Sequence, residues 1–256
     1  MKLIDTHTHL YLPEFVNDIE EVMQRAFDEG VEKFYLPSID SANTQSLFFL
    51  EKKYPGKCFV MMGLHPCSVR ENYKGELANV HEWLQKRKFA AIGEIGLDFY
   101  WDKTFIDQQY KSFEQQIEWA LQFNLPIVIH TRNAMQETID VVVKFAAKGL
   151  HGIFHCFSGT HQNAIDIIDA GFLLGIGGVA TYKNAGVAEV IKEIDLEHIV
   201  LETDAPYLTP VPFRGKRNES SYIKYVVKKI ADIKNIAEEE VAEITTTNAE
   251  RVFGVS

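Results

Sequence analysis

The chain is poor in cysteine, with only Cys58, Cys67 and Cys156 among 256 residues. An odd count at irregular spacing excludes a disulfide framework and fits a reducing compartment. No apolar run reaches the length of a membrane span. Asp5 interrupts MKLIDTHTHL where a secretory leader would need an unbroken apolar stretch, so the expected location is cytoplasmic. Positive charge is also short: 26 Lys and Arg stand against 36 Asp and Glu, a net charge of −10. That excludes a broad basic field of the kind a nucleic-acid-gripping surface presents. An anionic substrate would have to be met by local charge, from bound cations or a basic loop. Low-complexity tracts and linker-like Ser/Gly segments are absent, so one domain is expected over residues 1–256. The 46% of hydrophobic residues supplies a sizeable core.

What is present is a repeated strand–loop–helix rhythm. Apolar runs predict strands over 2–9, 33–39, 58–65, 90–98, 126–131, 151–156, 172–177 and 198–203. Helical patterns fall roughly at 14–29, 41–54, 75–87, 105–124, 133–148, 160–170, 184–194, 219–233 and 238–253. The helix at 105–124 shows the logic. Phe105, Tyr110, Phe113, Ile117, Ala120 and Leu121 recur at helical steps along one stripe. Pro126 prevents the pattern from continuing, and IVIH follows as a buried strand. Eight strand ends at steps of 22 to 34 residues suit one strand, one helix and two connections per unit. The predicted fold is therefore an α/β chain, a (β/α)₈ TIM-like barrel with an extra C-terminal helix. A doubly wound open sheet is the rival, but it would disperse the side chains described next.

Metal-binding residue types sit at the ends of several predicted strands: His7 and His9 in IDTHTHL, Glu94 in AIGEIGLD, His130 in PIVIHTR, His155 in IFHCFSG and Asp204 in IVLETDAP. A barrel of parallel strands gathers such scattered residues at one mouth. Four imidazoles and two carboxylates there predict a pair of divalent cations, and so hydrolysis. A carboxylate inside the apolar strand around Glu94 is costly unless it is paired or metal-bound. Gly93 and Gly96 beside it leave room for close backbone approach. His7 and His9, two apart on a strand, would face one side, and Asp5 would share that facing. Asp5 and Glu202 are read as carboxylates standing behind the ligands, with Asp5 orienting an imidazole. Cys156, directly after His155, would point away from it as a small packed side chain. His65 in GLHP is expected to touch substrate rather than metal. His81, His151, His161 and His198 are expected at the surface.

At this point the chain resembles the TatD-type metal-dependent deoxyribonucleases of the amidohydrolase-like superfamily. The likeness covers essentially the whole length. It rests on IDTHTHL, GLHP, GEIGLDFY, HTRNA, HCFSG and ETDAPYLTPVPFRGKRNE. It implies a TIM-like barrel in which His7, His9 and Asp204 bind one cation, His130 and His155 the other, and Glu94 bridges. It also implies activity on DNA from the 3′ end, with repair-related roles in some members. The chain departs from the family pattern at Asn133, where many members carry Asp, and at Ser220, where many carry Pro. Neither position is a proposed ligand.

These readings predict a 3′–5′ exodeoxyribonuclease that attacks phosphodiester bonds with a metal-activated water, acting on single-stranded DNA or 3′ ends as a monomer. Asp204 and Glu94 are the expected catalytic groups, with Asp204 accepting the proton. Mg, Mn, Zn or Co would suit the mixed donors. Arg132 and Arg214 are expected on phosphates, with Lys216 and Arg217 in the same basic loop. Tyr100 and Trp101 are expected under bases. One rival is an amidohydrolase cleaving a C–N or C–O bond of a carbonyl substrate. Such enzymes often bridge their cations with a modified lysine, yet no Lys occurs from Phe89 to Tyr100. The other rival is a non-catalytic binding or quality-control barrel, which the complete donor set disfavours.

Overall fold

The computed structural model describes residues 1–254, so the last two residues of the expected domain lie outside the described residues. Eight parallel strands form the centre: β1 Leu3–Asp5, β2 Val31–Leu36, β3 Cys58–Val60, β4 Ile92–Asp98, β5 Ile127–Arg132, β6 Gly152–Phe154, β7 Phe172–Ile176 and β8 Ile199–Leu201. β1 to β3 pair in order, as do β4 to β8. Backbone bonds join the two groups. Ala90 N–H donates to Val60 O and Gly93 N–H to Met62 O, and Met62 bridges Ile92. Thr6 N–H donates to Leu201 O and links β1 to β8. The result is the closed (β/α)₈ barrel, and among the described residues the eight predicted strands and nine predicted helices all lie near their predicted places.

The outer helices are α1 Ile19–Asp28, α2 Thr44–Lys53, α3 Tyr73–Lys86, α4 Ile106–Phe123, α5 Met135–Ala146, α6 His161–Asp169, α7 Val187–Glu193 and α8 Ile223–Lys234. α4 ends at Asn124, which takes the left-handed conformation that asparagine tolerates, two residues before Pro126. Inside the barrel lies a separate apolar cluster: Ile4, Tyr35, Met61, Ala91, Val128, Ile153, Leu173 and Val200, one from each strand or the residue beside it. The extra helix, α9 Glu238–Phe253, adds Ala249 and Val252 to this cluster. Phe253 stacks on Tyr35 at 3.7 Å. Asn248 donates to Leu196 O and Ile199 O, and Thr246 to Lys2 O, so α9 packs across the end where β1 and β8 begin. The opposite end is left for chemistry.

Several strands are shorter than predicted. β1 stops at Asp5 rather than residue 9, β3 at Val60 rather than 65, β6 at Phe154 rather than 156, and β8 at Leu201 rather than 203. Beyond these points the chain bonds to loops instead of a ladder. Asp204 N–H donates to His7 O, and His9 N–H to Ala205 O. The convergence of His7 and His9 therefore comes from loop bonds, not from strand alternation. Cys156 likewise lies past its strand, at φ 48°, and lines the mouth instead of packing behind it. Between β4 and β5, Gly96 pairs with His130, and a Cβ on Gly96 would stand 2.0 Å from His130 O. Only glycine permits that approach, at φ +143°.

Candidate metal centre

Glu94 projects from the middle of β4 and is almost fully buried. Its two oxygens face two different groups of donors. Oε2 lies 3.2 Å from His7 Nε2 and 3.6 Å from His9 Nε2. Asp204 Oδ1 joins that side, 3.8 Å from His7 Nε2 and 3.4 Å from His9 Nε2. Oε1 lies 2.9 Å from His130 Nδ1, 3.3 Å from His65 Nε2 and 3.7 Å from His155 Nε2. The two sides touch, because the His7 and His155 rings stack at 3.5 Å. The structure thus brings together His7, His9, Glu94, His130, His155 and Asp204. Asp204 reaches inward from a left-handed backbone, φ 56°, an uncommon conformation of the kind that collects at functional sites.

Hydrogen bonds behind the rings decide which nitrogen faces inward. Tyr11 Oη donates its single proton to Pro37 O, so it must accept from His9 Nδ1, 2.8 Å away. His9 Nε2 therefore turns a lone pair toward Glu94 and Asp204. His130 Nε2 lies 2.9 Å from Asp98 Oδ2, which leaves Nδ1 to face Glu94. His155 Nδ1 lies 3.0 Å from Glu202 Oε1 as a charge pair without hydrogen-bond geometry, while Nε2 faces Glu94. Lone pairs aimed at carboxylate oxygens need positive charge between them, a proton or a cation. His7 Nδ1 is buried with no hydrogen-bond partner, so nothing opposes Nε2 as its metal-facing atom. Nitrogen and oxygen donors backed in this way are what a divalent cation requires. Candidate donor atoms of His7, His9 and Glu94, and of His7, His155 and Asp204, lie within 4.8 Å of one another.

His65 is the exception. It also sits within such a cluster, with Glu94 and His130. Yet its Nδ1 accepts from Cys67 N–H at 3.0 Å, so the proton of the neutral ring resides on Nε2. It presents a donor to the centre where the other rings present lone pairs. Asp5 differs from expectation. Its carboxylate accepts from Thr203 N–H and Oγ1, from Ser220 Oγ and from His7 N–H. It fastens the loop after β8 to β1 and orients backbone, not an imidazole, because Asp5, the last residue of β1, alternates with Ile4 of the inner cluster and so lies on the other face of the strand. Ser220, one of the two departures from the family pattern, supplies one of those bonds. Asn133, the other, occupies a left-handed conformation at φ 53°. Glu202 lies against His155 and accepts from Cys156 N–H at 2.7 Å. Sequence reasoning missed Asp98 and Tyr11. Asp98, four residues after Glu94 in an apolar strand, carried the same buried-acid signal as Glu94. Nothing marked Tyr11.

The electrostatics follow from crowding. Burial alone would raise the Glu94 pKa, but His65, His7, His155 and His130 outweigh it and hold the carboxyl well below its ordinary range. Burial would likewise raise Asp98, but His130 and the Trp101 and Tyr100 N–H groups outweigh it and keep it ionised. Burial opposes charge on His155, but Glu202, Glu94 and Asp204 overcome it and push the imidazole up to about 10. His130 is raised against burial by its bonds to Asp98 and Glu94. Without a cation the site is held together by protons on these rings, and metal and proton compete for the same atoms.

The mouth is a cavity of about 810 Å³, lined among others by His9, His65, Glu94, Trp101, His130, Arg132, His155, Asp204 and Tyr207. Arg132 stacks on Tyr100 at 4.0 Å and stands 5.1 Å from the Trp101 centroid. Tyr100 and Trp101 are more than half exposed. Arg214 does not line this cavity. It lies over Tyr182 at 3.9 Å in a neighbouring hollow with Lys183 and Asn184. Arg217 is not free for a phosphate, because it holds Asp18 with two bonds and Glu14 O with a third. These bonds pin the loop to the segment that leads into α1.

Fold and donor set together define a barrel metal-dependent hydrolase. The family model described as TatD related DNase matches residues 4–254, and the chain belongs to that family. It is 40% identical over 255 residues to YabD of Bacillus subtilis, described as an uncharacterized metal-dependent hydrolase, covering 99% of this chain and 100% of that one. It is 29% identical to the 3′-5′ ssDNA/RNA exonuclease TatD of Pantoea ananatis, covering 99% and 100%. The crystal structure of the TatD homolog YjjV from Escherichia coli K12 superposes with a TM-score of 0.93 at 28% identity, covering 99% and 98% of the two chains. No helix among the described residues is long and apolar enough to cross a membrane.

Proposed function

We propose that this hydrolase cleaves phosphodiester bonds of DNA, working from the 3′ end of a single strand with two divalent cations. One observation carries the reading: the two oxygens of Glu94 face two separate donor groups, the arrangement a bridging carboxylate needs. The DNase family and the exonuclease name of the Pantoea relative support the choice of substrate. A cytoplasmic setting agrees with three free thiols. When bound, the cations supply Lewis acidity, an activated water and stabilisation of the departing oxygen. The chain supplies the rest. Asp204, beside His9 at the mouth, accepts the proton of the attacking water. His65 offers its Nε2–H to a substrate oxygen. Arg132 meets a phosphate, while Tyr100 and Trp101 give a base a face to stack on, at roughly 1–3 kcal/mol per base.

The test is digestion of end-labelled single-stranded oligonucleotides by chelator-treated protein after return of each metal. Stepwise loss from the 3′ end is expected with wild type. Asp204→Ala should lose nearly all turnover and keep its fold. Inert DNA beside cleaved amides or lactones would replace this reading with the amidohydrolase one.

A further inference from the structure

We propose that Tyr11 is a positioning residue of the metal centre, selecting the tautomer of His9 through a neutral phenol. Tyr11 is itself 6% exposed, and its ring lies edge-on to His9 at 5.7 Å between centroids. Its hydroxyl has one proton and gives it to Pro37 O at 2.7 Å, just beyond the end of β2. A carbonyl can only accept, so this bond fixes the hydroxyl's direction. The oxygen lone pairs then point back to His9 Nδ1 at 2.8 Å. The chain His9 Nδ1–H to Tyr11 Oη–H to Pro37 O runs one way only. His9 Nε2 is thereby the ring atom turned to the centre, 3.4 Å from Asp204 Oδ1 and 3.6 Å from Glu94 Oε2.

The other backed rings lean on carboxylates, Asp98 behind His130 and Glu202 behind His155. Carboxylates orient a ring and also add negative charge. Tyr11 orients without adding charge, on the side where Asp204 and Glu94 already bring two acids together. The tyrosine is thus more than core packing: its ring fills space, and its hydroxyl sets a proton. Groups behind metal-binding histidines are commonly worth 10- to 100-fold in metal affinity.

The inference rests on the metal-centre reading, and the experiment separates the two. Tyr11→Phe keeps the ring and removes only the oxygen. Nitrogen-15 correlation spectra of the metal-free protein should show His9 protonated on Nδ1 in wild type and divided between both nitrogens in Tyr11→Phe. Calorimetric titration of the chelator-treated proteins with Mn²⁺ should show at least one binding step weakened roughly tenfold or more. An unchanged His9 tautomer with a superimposable isotherm would overturn the role of Tyr11 and leave the metal centre standing. Wild type that takes up no Mn²⁺, Zn²⁺ or Co²⁺ would overturn both.

Discussion

Replacing Asp98 by Asn tests the geometry behind the metal centre at its most exacting point. Asp98 Oδ1 accepts from Tyr100 N–H at 2.9 Å and Trp101 N–H at 3.0 Å, and an Asn carbonyl can keep both bonds. The Asp98 backbone is held separately, because its N–H donates to Gln109 Oε1 and its carbonyl accepts from Gln109 Nε2. The loop and the fold should therefore survive. The change falls on Oδ2, 2.9 Å from His130 Nε2, where Asn places an NH₂ group. Two N–H donors then face each other. The ring can relieve this only by moving its proton to Nδ1, the atom 2.9 Å from Glu94 Oε1. A ligand lone pair is lost without moving a heavy atom. The expected cost is about 10- to 100-fold in metal affinity, or about 1.4–2.8 kcal/mol. Calorimetric titration of chelator-treated protein with Mn²⁺ measures it, and thermal melting of the metal-free form checks the fold. An Asp98→Asn protein that melts like wild type and binds metal within twofold of it would refute the tautomer argument.

Three further outcomes are expected. The folded pKa of His155, about 10, lies above the ordinary histidine value of 6.5, so its contribution to metal-free stability is complete below about pH 6.5 and is lost as pH rises through 10. Thermal midpoints of chelated protein should fall from pH 7 to 10 while metal affinity rises, and a midpoint that climbs over this window would reverse the sign. Gly96→Ala would press a Cβ to 2.0 Å from His130 O at φ +143°, costing about 3 kcal/mol or more, roughly 6–12 °C in midpoint. A melt indistinguishable from wild type would show that β4 and β5 do not approach this closely. Arg132→Ala should weaken single-stranded DNA binding and reduce the slope of log K against log salt by about 0.7. The same change at Arg214, outside the mouth, should alter that slope less, and equal effects would place the strand across both hollows.

The sequence by itself determined the barrel and the donors that meet in it. Strand and helix periods are local signals, and an acid or histidine closing an apolar run is visible without neighbours. His7, His9, Glu94, His130, His155 and Asp204 were legible for that reason, as was the close approach at Gly96. Only the tertiary structure decided what each donor presents. Whether an imidazole offers a lone pair or a proton depends on the partner behind it. For His9 that is a hydroxyl fixed by the carbonyl of Pro37, for His130 the carboxylate of Asp98 and for His65 the backbone of Cys67. The same holds for Arg217, a basic loop residue in the sequence but the clasp of Asp18 in space. Local pattern records where apolar runs end and which acids and histidines close them. Tautomer, charge pairing and accessibility depend on contacts between distant segments, and these exist only once the barrel has closed.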